Sequence, residues 1–304
     1  MNTHNTNLKI IAARIKLNNF VNSVKNKWFR GDGEFSRRIK LRNTTFWNNE
    51  NGKILRNTII GVNDPIEKLK DADNWQRKLS NKYNSREFAK KHGCKVPELY
   101  WRGRDINKIP MNDLPKQFVI RPTIGHSCNH VFLINDEVNL MDRQVYSKEA
   151  LLRILAAEIK KNAYLEFLIE EFLKTEQEEY KIPIDYKFFM FGEEVATILV
   201  VNRLMPPVGL NSFYDINWKR IKTINNTFPN DSDQKPPDCL NEMIECSRKL
   251  GKAYETFVRI DFYATDKGAI FGEFTPTPGL GKNFTKYGNK LLGDYWNKVY
   301  NEKI

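Results

Sequence analysis

Residues 258–279 read VRIDFYATDKGAIFGEFTPTPG, and their alternation predicts an antiparallel hairpin. Asp266-Lys267-Gly268 makes a three-residue loop, with glycine where a positive φ is required. That loop pairs Thr265 with Ala269, Tyr263 with Phe271, Asp261 with Glu273 and Arg259 with Thr275. Successive side chains alternate between faces. Val258, Ile260, Phe262, Ile270 and Phe274 form a core face, and Arg259, Asp261, Tyr263, Phe271, Glu273 and Thr275 the other. Directly opposed side chains have Cβ atoms about 4.5–5.5 Å apart, where like charges repel. Two readings of the Asp261–Glu273 pair stand side by side. Arg259 and water screen a solvated hairpin, or the two acids share a hard cation such as Mg²⁺, which takes carboxylate, phosphate and water oxygens.

The flanking pattern, R-x-D-F followed by G-E-x-T-x-x-P-G, resembles the C-terminal metal site of the ATP-grasp superfamily. The stretch GEFTPTPG is similar to its TupA-like branch, which is associated with teichuronic acid and surface-polysaccharide synthesis. The resemblance implies ATP and Mg²⁺ as cofactors, Asp261, Glu273 and Thr275 as metal ligands, and Arg259 as a catalytic cation. Thr275 stands where the family usually has Asn, so a hydroxyl replaces an amide oxygen.

Further pieces resembling the family follow in its order from about residue 78 to 293. KLSNKYNSREFAKKHGCKVPELYW (78–101) predicts a helix from about Ser85 to Lys91, ended by Gly93. Asn81-Lys82 precedes it where the family often has Asp-Lys. Lys82 is either a nucleotide ligand or a surface lysine. In QFVIRPTIGHSCNHVFLIND (117–136), runs at Phe118–Arg121 and His130–Ile134 flank a loop with Gly125 and Ser127. This is either the family's phosphate-covering hairpin or a structural one. Backbone N–H groups of such a loop can close over phosphates. Arg121 replaces the usual Lys and keeps the charge as a planar fork. YLEFLIEEFL (164–173) is similar to the strand and hinge that hold adenine, which nominates Glu170, Glu171, Phe172 and Leu173. DYKFFMFGEEVATILVVNR (185–203) reads as a hairpin turning at Gly192-Glu193. The resemblance puts Asp185 at the ribose and Lys187 near phosphate. NSFYDINWK (211–219) resembles a loop whose lysine touches the phosphates. Lys219 is that catalytic candidate, or a surface lysine. Ser147 and Asp238 are positioned to cap two further helices.

Composition bounds the rest. The 304 residues carry a net charge of +12 and are 40% hydrophobic, enough chain for about two domains. No apolar run is long enough to predict a transmembrane helix, and the N-terminus lacks a signal-peptide core. Cys94, Cys128, Cys239 and Cys246 form no CxxC pair and read as reduced thiols of a cytoplasmic protein. Nucleic acid is not expected as a partner, because no RNP-like aromatics, zinc knuckle or recognition helix are present. Residues 1–31 hold Lys9, Arg14, Lys16, Lys25, Lys27 and Arg30 and no acid, with apolar positions at helical spacing. Residues 8–30 therefore form either a helix docked on its own domain or a peripheral contact with the inner membrane face.

The expected architecture is α+β or α/β. It is an ATP-grasp fold with nucleotide held between two α+β subdomains and a shortened N-terminal domain. Residues 1–115 would form the basic helix and a small acceptor-side domain. Residues 116–172 would form the subdomain with the phosphate-covering hairpin, and 173–304 the subdomain with the Mg²⁺ site. The resemblance implies an ATP-dependent ligase that joins a carboxylate to an amine through an acyl phosphate. Its partners would be a small, nucleotide-linked or lipid-linked sugar acid and an amine. A kinase acting on a glycan precursor and a non-catalytic basic module that binds glycan or membrane are the alternatives.

Overall fold

The computed structural model describes residues 33–61, 63–125, 128–205 and 208–300, with Ala13, Leu17 and Val21 as isolated positions. The rest of the basic stretch 8–30 lies outside the described residues, as does Ser127. In chain order the elements are α1 Glu34–Arg42, a π-helical turn Asn43–Trp47, α2 Glu50–Asn57, α3 Ile66–Leu69, α4 Lys82–Lys91, β1 Leu99–Gly103, β2 Gln117–Pro122, β3 Phe132–Asn135, β4 Val138–Asn139, β5 Gln144–Val145, α5 Lys148–Lys161, β6 Phe167–Glu171, β7 Asp185–Phe191, β8 Glu194–Met205, β9 Val208–Tyr214, α6 Leu240–Tyr254, β10 Val258–Thr265, β11 Gly268–Thr275 and α7 Lys286–Tyr300. The chain divides into two compact units. One comprises Ile54–Pro183 with Tyr263–Glu273, and the other Met1–Lys53, Ile184–Phe262 and Phe274–Ile304.

The first unit holds a sheet of order β1-β6-β2-β3-β4-β5. β2 shows the period of two that its sequence requires: Phe118, Ile120 and Pro122 are buried, and Val119 and Arg121 half-buried. It pairs with β3 from Gln117↔Asn135 to Ile120↔Phe132. Leu151 and Leu155 of α5 pack on Phe118, Ile120, Phe132, Ile134, Phe167 and Ile169. Ser147 caps α5 as expected, its Oγ accepting from Ala150 N at 3.2 Å. Helix α4 begins at Lys82 rather than Ser85. Asn81 supplies the cap, with Tyr83 N donating to its Oδ1 at 2.9 Å.

The second unit is built on the sheet β11-β10-β7-β8-β9. β7 and β8 turn at Gly192, whose φ of 56° favours glycine. Their register shifts between Phe189 and Met190, so that Asp185 pairs with Val201. Helix α6 starts at Leu240 with Cys239 in the cap position, one residue later than a cap at Asp238 would place it. It crosses the β7–β8 turn closely, and a Cβ on Gly251 would lie 2.2 Å from Gly192 O. On the other face of the sheet, Phe35 and Ile39 of α1 join Phe189, Phe191, Phe257, Phe284, Leu292 and Trp296 in one core.

Arg42, at the end of α1, fastens the base of the β10–β11 hairpin. Its Nη1 donates to Phe257 O at 2.8 Å and to Pro276 O at 3.2 Å, the residues on either side of the hairpin. Its Nη2 donates to Thr256 Oγ1 at 2.9 Å, and the guanidinium lies 5.1 Å from the Trp296 ring centroid. Burial lowers its pKa, yet carbonyl dipoles and aromatic faces hold the cation, with no carboxylate paired to it among the described residues. Arg42→Met leaves those carbonyls unpaired. It is expected to cost about 3 kcal/mol in urea denaturation, and a loss of under about 0.5 kcal/mol would remove Arg42 from this role.

Candidate active site

Lys187, on β7 of the second unit, stands between two carboxylates. Its ammonium donates to Asp261 Oδ2 and lies 3.4 Å from Asp185 Oδ2. Asp261 is 1% exposed and Asp185 and Lys187 are each 5% exposed, so this charge cluster is largely out of water. Arg259 grips Asp261 from the same strand, with Nε 2.7 Å from Oδ1 and Nη2 2.8 Å from Oδ2. Arg203 Nε donates to Asp185 Oδ2 at 2.8 Å. Charges alternate along Arg203, Asp185, Lys187, Asp261 and Arg259. Burial on its own would raise the Asp185 pKa, but Lys187, Arg203 and Arg259 outweigh it and the net direction is down. Thr275 Oγ1 accepts from Arg259 Nη2 at 2.8 Å.

The first unit holds a second set of charges. Arg121 and Glu170 are diagonal neighbours on β2 and β6, since Arg121 pairs with Leu168 and Val119 with Glu170. Arg121 Nε donates to Glu170 Oε2 at 2.5 Å and its Nη2 to Oε1 at 3.2 Å. Arg86 of α4 adds a contact of 3.3 Å to Glu170 and pairs with Glu87 at 2.9 Å. Glu170 pulls the Arg121 pKa up against burial. Lys82 is half-buried, and its Nζ donates to Gly125 O at 3.3 Å, which places it at the loop after β2. Burial lowers its pKa, Glu273 opposes that shift, and Arg121 adds to it.

The remaining candidates are placed as follows. Glu170 and Glu171 lie in β6, inside the ladder, with Glu171 N donating to Glu98 O at 2.9 Å. The Glu171 side chain pairs with Lys267. Phe172 and Leu173 follow the strand end and are buried. Lys219 projects from a tight loop in which Asp215 Oδ1 accepts from Asn217 N at 3.0 Å and Lys219 N at 2.8 Å. Its side chain is exposed and forms no ion pair among the described residues. The β9 end of that loop is pinned by Trp218, which stacks on Tyr214 with centroids 4.5 Å apart. Asp261 lies on β10 and Glu273 on β11, neighbouring strands of one sheet. Their carboxylate oxygens suit a hard divalent ion. Among the described residues, no three His, Cys, Asp or Glu side chains gather as a metal-holding group, so such an ion would need oxygens from elsewhere. None of the four cysteines is in a disulfide, and among the described residues no helix is long and apolar enough to cross a membrane.

The sequence matches the TupA-like ATPgrasp family over residues 65–297. The chain belongs to the TupA-like ATP-grasp family. Its α+β architecture of two antiparallel sheets with helices is an ATP-grasp fold. Similar solved structures include D-alanine–D-alanine ligase from Bacillus anthracis complexed with ATP, at 15% identity and TM-score 0.48, covering 73% of this chain and 65% of that one. The Helicobacter pylori D-alanine–D-alanine ligase is 18% identical with TM-score 0.45, covering 75% and 61%. N5-carboxyaminoimidazole synthetase from Staphylococcus aureus complexed with ADP is 16% identical with TM-score 0.42, covering 81% and 61%. The chain spans less than two thirds of the length of each. No curated protein matches it.

Arg203, Arg86 and Glu87 are members of these clusters that motif reading does not select. For Arg203 a signal exists, since it closes the DYK…VVNR hairpin, but the register shift decides which face it takes. The Lys82 environment makes a chemical prediction. A lowered pKa exposes a neutral amine at lower pH, so the acetylation–pH profile of Lys82, read by mass spectrometry, is expected to have its midpoint below the ordinary lysine value of 10.5. A midpoint at or above that value would contradict the burial described here.

Proposed function

We propose that this chain is an ATP-dependent carboxylate–amine ligase that forms an amide through an acyl phosphate. The observation that carries the reading is the state of the carboxylates around Lys187: Asp185 and Asp261 are both bound by cations, and the Asp185 pKa is lowered. Transfer of a phosphoryl group to a hydroxyl calls for a base to take its proton. Transfer to a carboxylate calls for none, because the nucleophile is already an anion. A cluster of cations with its acids occupied favours a carboxylate acceptor over the kinase reading. Loss of the acids would favour a non-catalytic basic module, and both are present.

In this reading a carboxylate oxygen attacks the γ-phosphorus and the bond to ADP breaks. The amine then adds to the acyl carbon, the C–O bond to phosphate breaks, and the amine gives up a proton to water. Lys187 and Arg259 neutralise the transferred group, and Arg259 stabilises the oxyanion of the tetrahedral intermediate. Thr275 and Asp261 hold its guanidinium in place. Arg121, Lys82 and Gly125 are the phosphate ligands in this reading, with Lys219 as a further one. Phe172 and Leu173, beyond the end of β6, offer backbone groups to adenine, and Asp185 serves the ribose. Asp261 and Glu273 would hold Mg²⁺, which would offset the charge of the phosphates. The substrates we propose are a small, nucleotide-linked or lipid-linked sugar acid and an amino acid or amino sugar, joined in surface-polysaccharide synthesis at the cytoplasmic side.

The test is a matrix of uronic acids and nucleotide-linked uronates against amino acids and amino sugars, with Mg-ATP. Phosphate release that requires both substrates, with a product mass equal to acid plus amine less water, is the expected outcome. A stable phosphorylated product that forms without an amine would replace the ligase with a kinase.

A further inference from the structure

An ionised carboxylate offers about four lone-pair sites. On Asp261 the two N–H groups of Arg259 and the ammonium of Lys187 already fill most of them. Lys187 bridges Asp261 and Asp185 as a divalent cation would, from a strand that lies next to β10 in the sheet. Three cations, Lys187, Arg203 and Arg259, meet the two carboxylates of the cluster, and Glu273 of the same hairpin brings the acids to an equal number. A free metal ion therefore meets no net negative charge and finds Asp261, its nearly dry carboxylate, already held by two cations, whose repulsion burial makes stronger than in water.

We propose that Lys187 is an internal cation that closes Asp261 to free metal and releases it only to an incoming polyphosphate. The proposal rests on the Mg²⁺ assignment to Asp261 made above. Polyphosphate oxygens give the Lys187 ammonium an alternative set of acceptors, and Asp261 then has a site for the metal that the nucleotide carries. The exchange conserves charge. One ammonium moves from a carboxylate to a phosphate, and one divalent ion enters with the anion that offsets it. Metal and nucleotide would thus load together, with the bare ion excluded. Neither Arg259 nor Arg203 can make this exchange as easily. Arg259 is held by both Asp261 and Thr275, and the Arg203 Nε–H is given to Asp185.

The probe is Mn²⁺ without nucleotide, a hard ion whose unbound fraction is read by electron paramagnetic resonance. Lys187→Gln is expected to bind bare Mn²⁺ at least about tenfold tighter than the unaltered protein, and Lys187→Arg, which keeps the cation, is not. Asp261→Asn combined with Lys187→Gln should abolish the gain, which assigns it to that carboxylate. Binding to Lys187→Gln no tighter than to the unaltered protein would overturn the proposal. Micromolar stoichiometric binding of bare Mn²⁺ by the unaltered protein would overturn it as well, with no variant needed. None of these readings depends on turnover. A failed substrate screen therefore leaves the proposal standing, and a failed Mn²⁺ titration leaves the ligase reading standing.

Discussion

A carboxylate with almost no access to water, Asp261, sits between a lysine and an arginine in the middle of a sheet. An unpaired ion there would cost several kcal/mol, so the surrounding strands must deliver compensating charges to it. Three strands do so. β10 supplies Arg259 two residues before the acid, β7 supplies Lys187, and the end of β11 supplies the Thr275 hydroxyl that keeps Arg259 aligned. The rest of the second unit fixes those strands. Phenylalanines on the far face of the sheet pack against α1 and α7, and Arg42 ties together the two residues that flank the hairpin.

The same arrangement answers the puzzle of acids at this place in a chain with an excess of positive charge. The excess is local as well as global. Each acid of the second unit's cluster is matched by more than one cation, and Glu170 in the first unit meets Arg121 and Arg86. Such sets are costly as mere stabilisers, because hydrophobic replacements of similar volume often do as well. They are suited to a ligand that brings its own negative charge and exchanges partners with them, which is what a polyphosphate does.

Much of this was legible in the sequence because it is local. The alternation of residues 258–275 gave two strands, and the structure has β10 and β11 flanking Asp266 and Lys267, with Gly268 at φ 89°. Val258, Ile260, Phe262, Ile270 and Phe274 are buried as their common face requires. The β7–β8 and β2–β3 hairpins and the Ser147 cap are local in the same sense. What was not legible depends on contacts distant in sequence or on register. Lys187 meets Asp261 because β7 is the neighbour of β10, which no short-range pattern states. The register shift at Phe189–Met190 adds one residue and puts Arg203 diagonal to Asp185. An unbroken pairing from the Gly192 turn would have turned it to the opposite face. Helix α4 starts earlier than expected because Asn81 caps it, while Asn84, an equally good cap by residue type, is engaged by Ile60 N and Thr58 O instead.

The account turns on phosphoryl transfer to a carboxylate. Once the screen has found the acid, the most direct measurement uses that acid with ¹⁸O in its carboxylate and follows the label by mass spectrometry after turnover with Mg-ATP and the amine. An acyl phosphate carries one substrate oxygen away when its C–O bond breaks. The account predicts one ¹⁸O in each inorganic phosphate released. Phosphate without label, formed together with amide, would contradict it.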